Sequence, residues 1–266
     1  MSGDETFVLW VCAGLAIAVW FVWYRDLLVV ARRPSGAPER RWLALAPLAA
    51  VALLAAVLRW LAASDVRNDP AYLGFYLMMG AAWIGGGVQV LSYFGLGARD
   101  DVIERGNRAA AMAIAGAVLG ITLCFAGGNI GEGPGWWVVV FCAGLSTGAL
   151  LLFWSFLDRL SGVADTVTID RDPAAGVRAA GFFAGAGLIL GRAAAGNWEG
   201  SGPAMFDFVL NGWPVVVLLV LAALLERRFR PSPEALERPV LTHGALPALL
   251  YLGLGAAAAG MAGSWM

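Results

Sequence analysis

Eight long apolar runs constrain this chain more than any other feature of its sequence. A helix needs about 20 apolar residues to cross the hydrocarbon core of a bilayer, and each run is close to that length. The sequence therefore predicts an all-α polytopic membrane protein with eight transmembrane helices and both termini on the same side. The predicted spans are residues 7–24, 42–63, 72–95, 109–130, 135–157, 174–195, 205–225 and 245–264.

The composition agrees with a membrane protein and narrows the classes of partner. Hydrophobic residues make up 60% of the chain and charged residues 14%, against roughly 25% charged residues in soluble domains. All 18 basic residues are arginine, and the 19 acidic residues bring the formal net charge to −1. This balance excludes a basic nucleic-acid-binding protein. We expect membrane lipids, and no nucleic acid, among the partners.

The arginines are distributed unevenly between the two sides of the predicted membrane. Fifteen lie in the connections after spans one, three, five and seven, and only Arg59, Arg67 and Arg192 belong to the other side. The positive-inside rule then makes the arginine-rich connections cytoplasmic and both termini periplasmic. Tryptophans near span ends, such as Trp23 and Trp154, are expected to anchor those ends at the membrane interface.

Span two is the least certain of the eight. Pro47 and Arg59 flank a short run of alanine and leucine, which could enter the membrane and turn back instead of crossing it. Both interpretations remain open from the sequence.

An internal repeat relates spans four and six. Asn107 and Asp172, 65 residues apart, precede the two spans and are favoured helix N-caps. Each cap is followed at the same offset by a pair of glycines that would let helix backbones approach closely, and a fainter third copy begins at Thr242. The helix starts could also hold a lipid phosphate beside nearby arginines. The glycine pairs are Gly116/Gly120 and Gly181/Gly185.

In these repeated cap and small-residue helices, the segments Arg105 to Asn129 and Asp170 to Trp198 resemble the YjfL-like family of bacterial inner-membrane proteins, a family of unknown function. The second copy departs from the family pattern in having Asp172-Pro173. The resemblance covers about 72–200, which makes 1–71 a two-helix N-terminal extension and 201–266 an additional C-terminal hairpin. It implies a multi-pass protein of the bacterial inner membrane. Family members occur beside membrane-stress proteins and glutathionylspermidine-synthase-like ligases, which implies envelope maintenance or polyamine handling.

Polar residues gather near the predicted periplasmic ends of spans four, six and seven. We predict that they form an outward-facing site for a small cation such as a polyamine or a monovalent ion, with Arg192 as an ion-pair partner of Asp207 or Glu199. The alternative is that they are solvated side chains of ordinary helix-ending turns. The candidate residues are Glu132, Glu199, Asp207, Asn129, Asn197 and Asn211.

Enzyme signatures are missing from the sequence. His243 is the single histidine, and Cys12, Cys124 and Cys142 all lie inside apolar runs, so neither a disulfide framework nor a metal cluster is indicated. We predict no catalytic residues, no cofactor and no metal. The favoured function is a non-catalytic scaffold or subunit of an envelope-maintenance or membrane-stress complex, as a homo-oligomer or with another membrane partner. The alternative is a transporter or channel for a small cation.

Overall fold

The regular structure of the described residues is helical throughout. The computed structural model describes residues 1–29, 38–230 and 239–261, with no strand among them. Arg32, Arg33 and Arg238, which contribute to the predicted charge asymmetry, lie outside the described residues, as does the end of the third repeat copy after residue 261. Within the described residues, seven helices are long and apolar enough to cross a membrane, and a bent pair makes up an eighth candidate. The chain is therefore an all-helical, multi-pass membrane protein.

The α-helices follow the predicted spans, with two short helices between them. They are α1 (Gly3–Val29), α2 (Pro38–Trp60), α3 (Ser64–Asn68), α4 (Pro70–Val90), α5 (Arg108–Gly127), α6 (Trp136–Ser161), α7 (Val163–Thr168), α8 (Pro173–Ala193), α9 (Ser201–Gly212), α10 (Pro214–Phe229) and α11 (Leu246–Met261). A 3₁₀ turn at Leu91–Phe94 extends α4, and π-helical turns at Ala98–Glu104 and Leu241–Ala245 precede α5 and α11.

Span two is one continuous helix. α2 has 23 residues and includes Pro47 in its interior, which corresponds to about 34 Å of helix at 1.5 Å per residue. That length crosses a hydrocarbon core of about 30 Å. The helix does not turn back at Pro47, so the re-entrant alternative is not what the structure shows.

Span seven, in contrast, is broken. α9 and α10 meet at Trp213 and are bent by 41°. Pro214 begins α10 and has no N–H to donate to the preceding turn, and its ring clashes with the helix that would continue through it. The prediction of one continuous helix over 205–225 is corrected to two helices joined at this bend, which together remain the eighth candidate span.

Four helices form a row in which all members run in the same direction. α5 lies against α8, and α8 lies against α11. Between α5 and α8, Gly116 contacts Ala180 and Gly120 contacts Gly187, so residue numbers rise in both helices in the same direction. α2 lies on the other side of α5, and α4, α6 and α10 form a second layer behind the row. We call the end with the start of α5 and α8 the arginine-rich end, and the other the opposite end.

Glycine allows the main chains of the row to touch. A Cβ added to Gly120 would lie 2.5 Å from the Phe183 carbonyl oxygen, and one added to Gly185 would lie 2.5 Å from that of Tyr251. Real Cβ atoms essentially never approach so closely. The glycines singled out in the sequence thus lie where α5 meets α8 and where α8 meets α11.

Two of the tryptophans expected at the membrane interface are buried instead. Trp154 is fully buried, and its Nε1 donates to the Phe94 carbonyl at 3.0 Å. Trp23 is also buried, and its Nε1 donates to the Leu43 carbonyl at 3.1 Å. Each indole N–H donates to a backbone carbonyl of a neighbouring helix or turn, so these side chains join helices rather than anchor them in headgroups.

The close approach of α5 to α8 predicts a strong effect of one added methyl group. Gly120→Ala should lower the free energy of unfolding by about 1–3 kcal/mol, the usual cost of overpacking. Gly148→Ala in α6 is the matched control, because nothing lies within 4 Å of its added Cβ. Unfolding of both variants in detergent micelles would measure the difference. Equal stability of Gly120→Ala and Gly148→Ala would contradict the described packing.

Candidate functional site

The two repeated helices begin with the same cap geometry. The Asn107 Oδ1 accepts from the backbone N–H groups of Ala109 and Ala110 at 2.9 and 3.2 Å. The Asp172 carboxylate accepts from those of Ala174 and Ala175 at 3.0 and 3.1 Å. Both caps are buried. Two of the free N–H groups at the start of each helix are therefore satisfied by the cap side chain.

At the opposite end, two glycine-rich turns are hydrogen-bonded to each other. The backbone N–H of Glu132 donates to the Asn197 Oδ1 at 2.9 Å, and the N–H of Trp198 donates to the Glu132 carbonyl at 2.9 Å. Gly131 and Gly196 have φ angles of 112° and 151°, which only glycine adopts readily. These bonds join the turn after α5 to the turn after α8.

The residues predicted to form the cation site differ in their exposure. Glu132, Glu199, Asp207 and Asn197 are exposed, Asn211 is half-buried, and Asn129 is buried. The Asn211 Nδ2 donates to the backbone carbonyl of Asp207 at 2.9 Å.

Only two of these six residues line a common pocket in the described structure. Asn129 and Glu132 lie in a cavity of about 30 Å³ at the end of α5, joined by Asp65, which the sequence analysis did not select. Neither Glu199 nor Asp207 lines this cavity. A pseudo-symmetric cup formed by all of the predicted acids is therefore not seen.

Arg192 lies in the last turn of α8 and is largely buried. The ion pairs formed between described residues do not include one from Arg192 to Asp207 or to Glu199. The partnership predicted for Arg192 is thus not found there.

The most deeply buried charges among the described residues are at the arginine-rich end, where the sequence suggested a lipid-phosphate site but no internal ion pair. Arg178 is fully buried in α8, and its Nε and Nη2 donate to the two oxygens of Glu226 in α10 at 2.8 and 2.6 Å. Its Nη1 donates to the carbonyl of His243 at 2.6 Å. Arg178 was counted with the arginines of a connection; it is instead part of the helix, buried between α8, α10 and the start of the last span.

Other groups surround this ion pair. Asp172 Oδ2 lies 4.0 Å from the Arg178 Nη2, and the Phe229 ring lies 5.7 Å from its guanidinium carbon. The Tyr251 hydroxyl is buried and forms no hydrogen bond within the described structure. Ionisable groups inside a membrane are costly unless they are paired. A bidentate pair with a third bond to a carbonyl satisfies both charges.

This pair had a weak signal in the sequence. Arg178 follows Pro173-Ala174-Ala175-Gly176-Val177 and precedes two alanines, so it interrupts an apolar run. Its partner is 48 residues away, and no local motif connects the two.

An apolar surface groove runs along the row of parallel helices. It has a volume of about 440 Å³, within the range of ligand-sized pockets, and alanine and glycine of α5 and α8 contribute to its floor. We call it the row groove. It is lined by Trp42, Leu45, Ala46, Ala49, Ala50, Met112, Ala115, Gly116, Leu119, Val177, Ala180, Gly181, Ala184, Ala248 and Leu252.

With this geometry in place, comparison with known families gives one result. Residues 133–262 match the family model described as Domain of Unknown Function (DUF350). The DUF350 match begins just before α6 and extends through α11, so it overlaps the predicted family segment of 72–200 only over 133–200 and includes the C-terminal hairpin. No curated protein and no solved structure matches the chain significantly.

The buried ion pair predicts a non-additive pattern of stability. Arg178→Met or Glu226→Leu alone leaves one charge buried without its partner, which should cost about 3–5 kcal/mol of unfolding free energy. The double variant removes both charges and should recover much of that loss. Equilibrium unfolding of the wild type, both single variants and the double variant measures the coupling. Strictly additive losses would contradict an ion pair that holds α8 to α10.

Proposed function

We propose that this chain acts without catalysis, as an integral-membrane scaffold or subunit of an envelope-maintenance or membrane-stress complex in the bacterial inner membrane. In this proposal, the row groove receives a transmembrane helix of a partner subunit. The observation that carries the proposal is the row groove itself: an apolar channel of about 440 Å³ on the surface of the helices that form the centre of the bundle.

The lining of the row groove supports a helix as its occupant. Its floor includes Ala115, Gly116, Ala180 and Gly181, while Trp42 provides a bulky wall at one end. Small residues allow helix backbones to approach closely in lipid, where no hydrophobic effect drives helices together. Within the chain, the same kind of contact between small residues packs α5 on α8 and α8 on α11. A further helix in the groove would extend the same mode of packing.

We also propose that the two-helix units are parallel repeats with both termini periplasmic. The recurrence of contacts supports this: Gly120 meets the carbonyl of Phe183 as Gly185 meets that of Tyr251, and the N–H groups of Asn107 and Asp172 each donate to a carbonyl six residues earlier. Parallel repeats present the same face at each step along the row.

Transport of a small cation is the second candidate. The repeat and the exposed acids at the opposite end favour it, since transporters commonly place a substrate between repeats. The space between α5 and α8, however, is filled by main chain: a Cβ on Gly187 would lie 2.7 Å from the Gly120 Cα. The docking proposal needs no passage at this interface.

Filling the row groove should release the partner. Ala49→Phe and Ala115→Phe place aromatic rings in the groove, whereas Ala18→Phe adds the same ring to an exposed position of α1 outside it. We expect the protein that co-purifies with the tagged wild type from gently solubilised membranes to fall at least about fivefold with either groove variant and to persist with Ala18→Phe, because a hydrophobic interface loses complementarity when it is overfilled. Quantitative mass spectrometry of the eluates measures this.

The thermal midpoint of each purified variant serves as the folding control. The proposal is contradicted if the wild type purifies as a monomer with no specific partner, or if folded groove variants retain the same partner at the same level as Ala18→Phe.

A further inference from the structure

A small, partly polar pocket lies beside the turn after α5, and one buried oxygen in its lining has no partner among the described residues. Asn129 lines this pocket and is 5% exposed. Its Nδ2 donates back to the Phe125 carbonyl at 2.8 Å. Because the amide group is planar, Oδ1 lies on the side away from that helix carbonyl, and it accepts no hydrogen bond in the described structure. A buried acceptor of this kind requires an explanation.

Two carboxylates line the same pocket, and in each of them only one oxygen accepts a hydrogen bond within the described part of the chain. The Asp65 Oδ1 accepts from the backbone N–H of Val66 at 2.8 Å, and the Glu132 Oε1 accepts from that of Ser64 at 3.0 Å. These bonds orient the two side chains and leave the Asp65 Oδ2 and the Glu132 Oε2 without a protein donor among the described residues. The pocket therefore combines two negative charges with a neutral amide oxygen.

The backbone around the pocket is held in place from both sides. Glu132 is connected to α3 through its side chain and to Asn197 through its backbone N–H, at 2.9 Å. Gly131 and Gly135 have φ angles of 112° and 154°, which let the turn wrap around the pocket without strain. The pocket is thus built from three segments that are distant in sequence.

We propose that this pocket binds one small, hard divalent cation of the Ca²⁺ class, with the side chains of Asp65, Asn129 and Glu132 as ligands. Ca²⁺ binds six to eight oxygens, drawn from carboxylates, amide and backbone carbonyls and water, and two carboxylates match its charge. Among the described residues no three His, Cys, Asp or Glu side chains are grouped for a metal ion, so the Asn129 oxygen is an essential part of the donor set.

The size of the pocket selects among the possible ligands. Its volume of about 30 Å³ is close to that of one water molecule. A single ion fits this space, with its remaining waters toward the open side of the pocket. The site is separate from the row groove, so it goes beyond the docking function and its test is independent of any partner.

Calcium binding to the purified chain tests the proposal. The protein, freed of divalent ions in detergent, is titrated with CaCl₂ by isothermal titration calorimetry, and its thermal midpoint is followed in parallel. The wild type should bind one Ca²⁺ and unfold at a higher temperature as Ca²⁺ is added, since a ligand of the native state stabilises it. Glu132→Gln and Asp65→Asn should each weaken binding at least about tenfold.

Matched variants distinguish the site from general surface charge. Glu199→Gln removes an exposed acid that does not line the pocket and should bind Ca²⁺ as the wild type does. Asn129→Leu should abolish binding, and Asn129→Asp, which restores an oxygen, should retain it even if Asn129→Leu folds poorly.

Three results would overturn the proposal. The first is the absence of binding heat with the wild type, which would leave Asn129 solvated by water alone. The second is an equal loss of affinity in Glu199→Gln and Glu132→Gln. The third is an equal rise in thermal midpoint with NaCl at matched ionic strength, which would indicate charge screening.

Discussion

Contact between the main chains of parallel helices is the constraint on which this structure depends. In a bilayer, lipid tails are as apolar as leucine, so helices associate through close packing and polar bonds. Gly120 and Gly187 bring α5 onto α8, and Gly185 and Gly255 bring α8 onto the last helix. A Cβ at any of these positions would lie only 2.5–2.7 Å from the neighbouring backbone. A side chain larger than hydrogen at these positions would separate the row.

The positions of the polar groups follow from this packing. Holding α5 and α8 side by side sets Asn107 and Asp172 at one end and the hydrogen-bonded turns of Glu132 and Asn197 at the other. At the arginine-rich end, α10 and the last span approach α8 closely enough for Glu226 and the His243 carbonyl to bind Arg178. Other small residues of α5 and α8, among them Ala115, Gly116 and Gly181, line the row groove, which lies open between the flanking helices.

Apolar runs and local capping chemistry predicted most of the helices, because these depend on neighbours in sequence. The caps at Asn107 and Asp172 are examples. The sequence also contains Pro214, which indicates a break in the helix but not its angle of 41°. The position of a residue along a helix can be counted from the sequence, but the direction in which its side chain points about the helix axis cannot. For that reason Glu132, Glu199 and Asp207 were grouped together although only Glu132 lines the pocket, and the pair of Arg178 with Glu226, 48 residues apart, was missed.

The main chains of α5 and α8 fill the interface between the repeats, and we therefore propose docking of a partner rather than conduction of ions. The direct measurement is flux of spermidine and of monovalent cations into liposomes that contain the purified, inserted protein, with gramicidin as the positive control for monovalent cations and a Glu132→Gln/Glu199→Gln/Asp207→Asn triple variant alongside. The account predicts flux no greater than that of protein-free liposomes for both proteins. Flux through the wild type that the triple variant lacks would contradict it and make the exposed acids part of a translocation pathway.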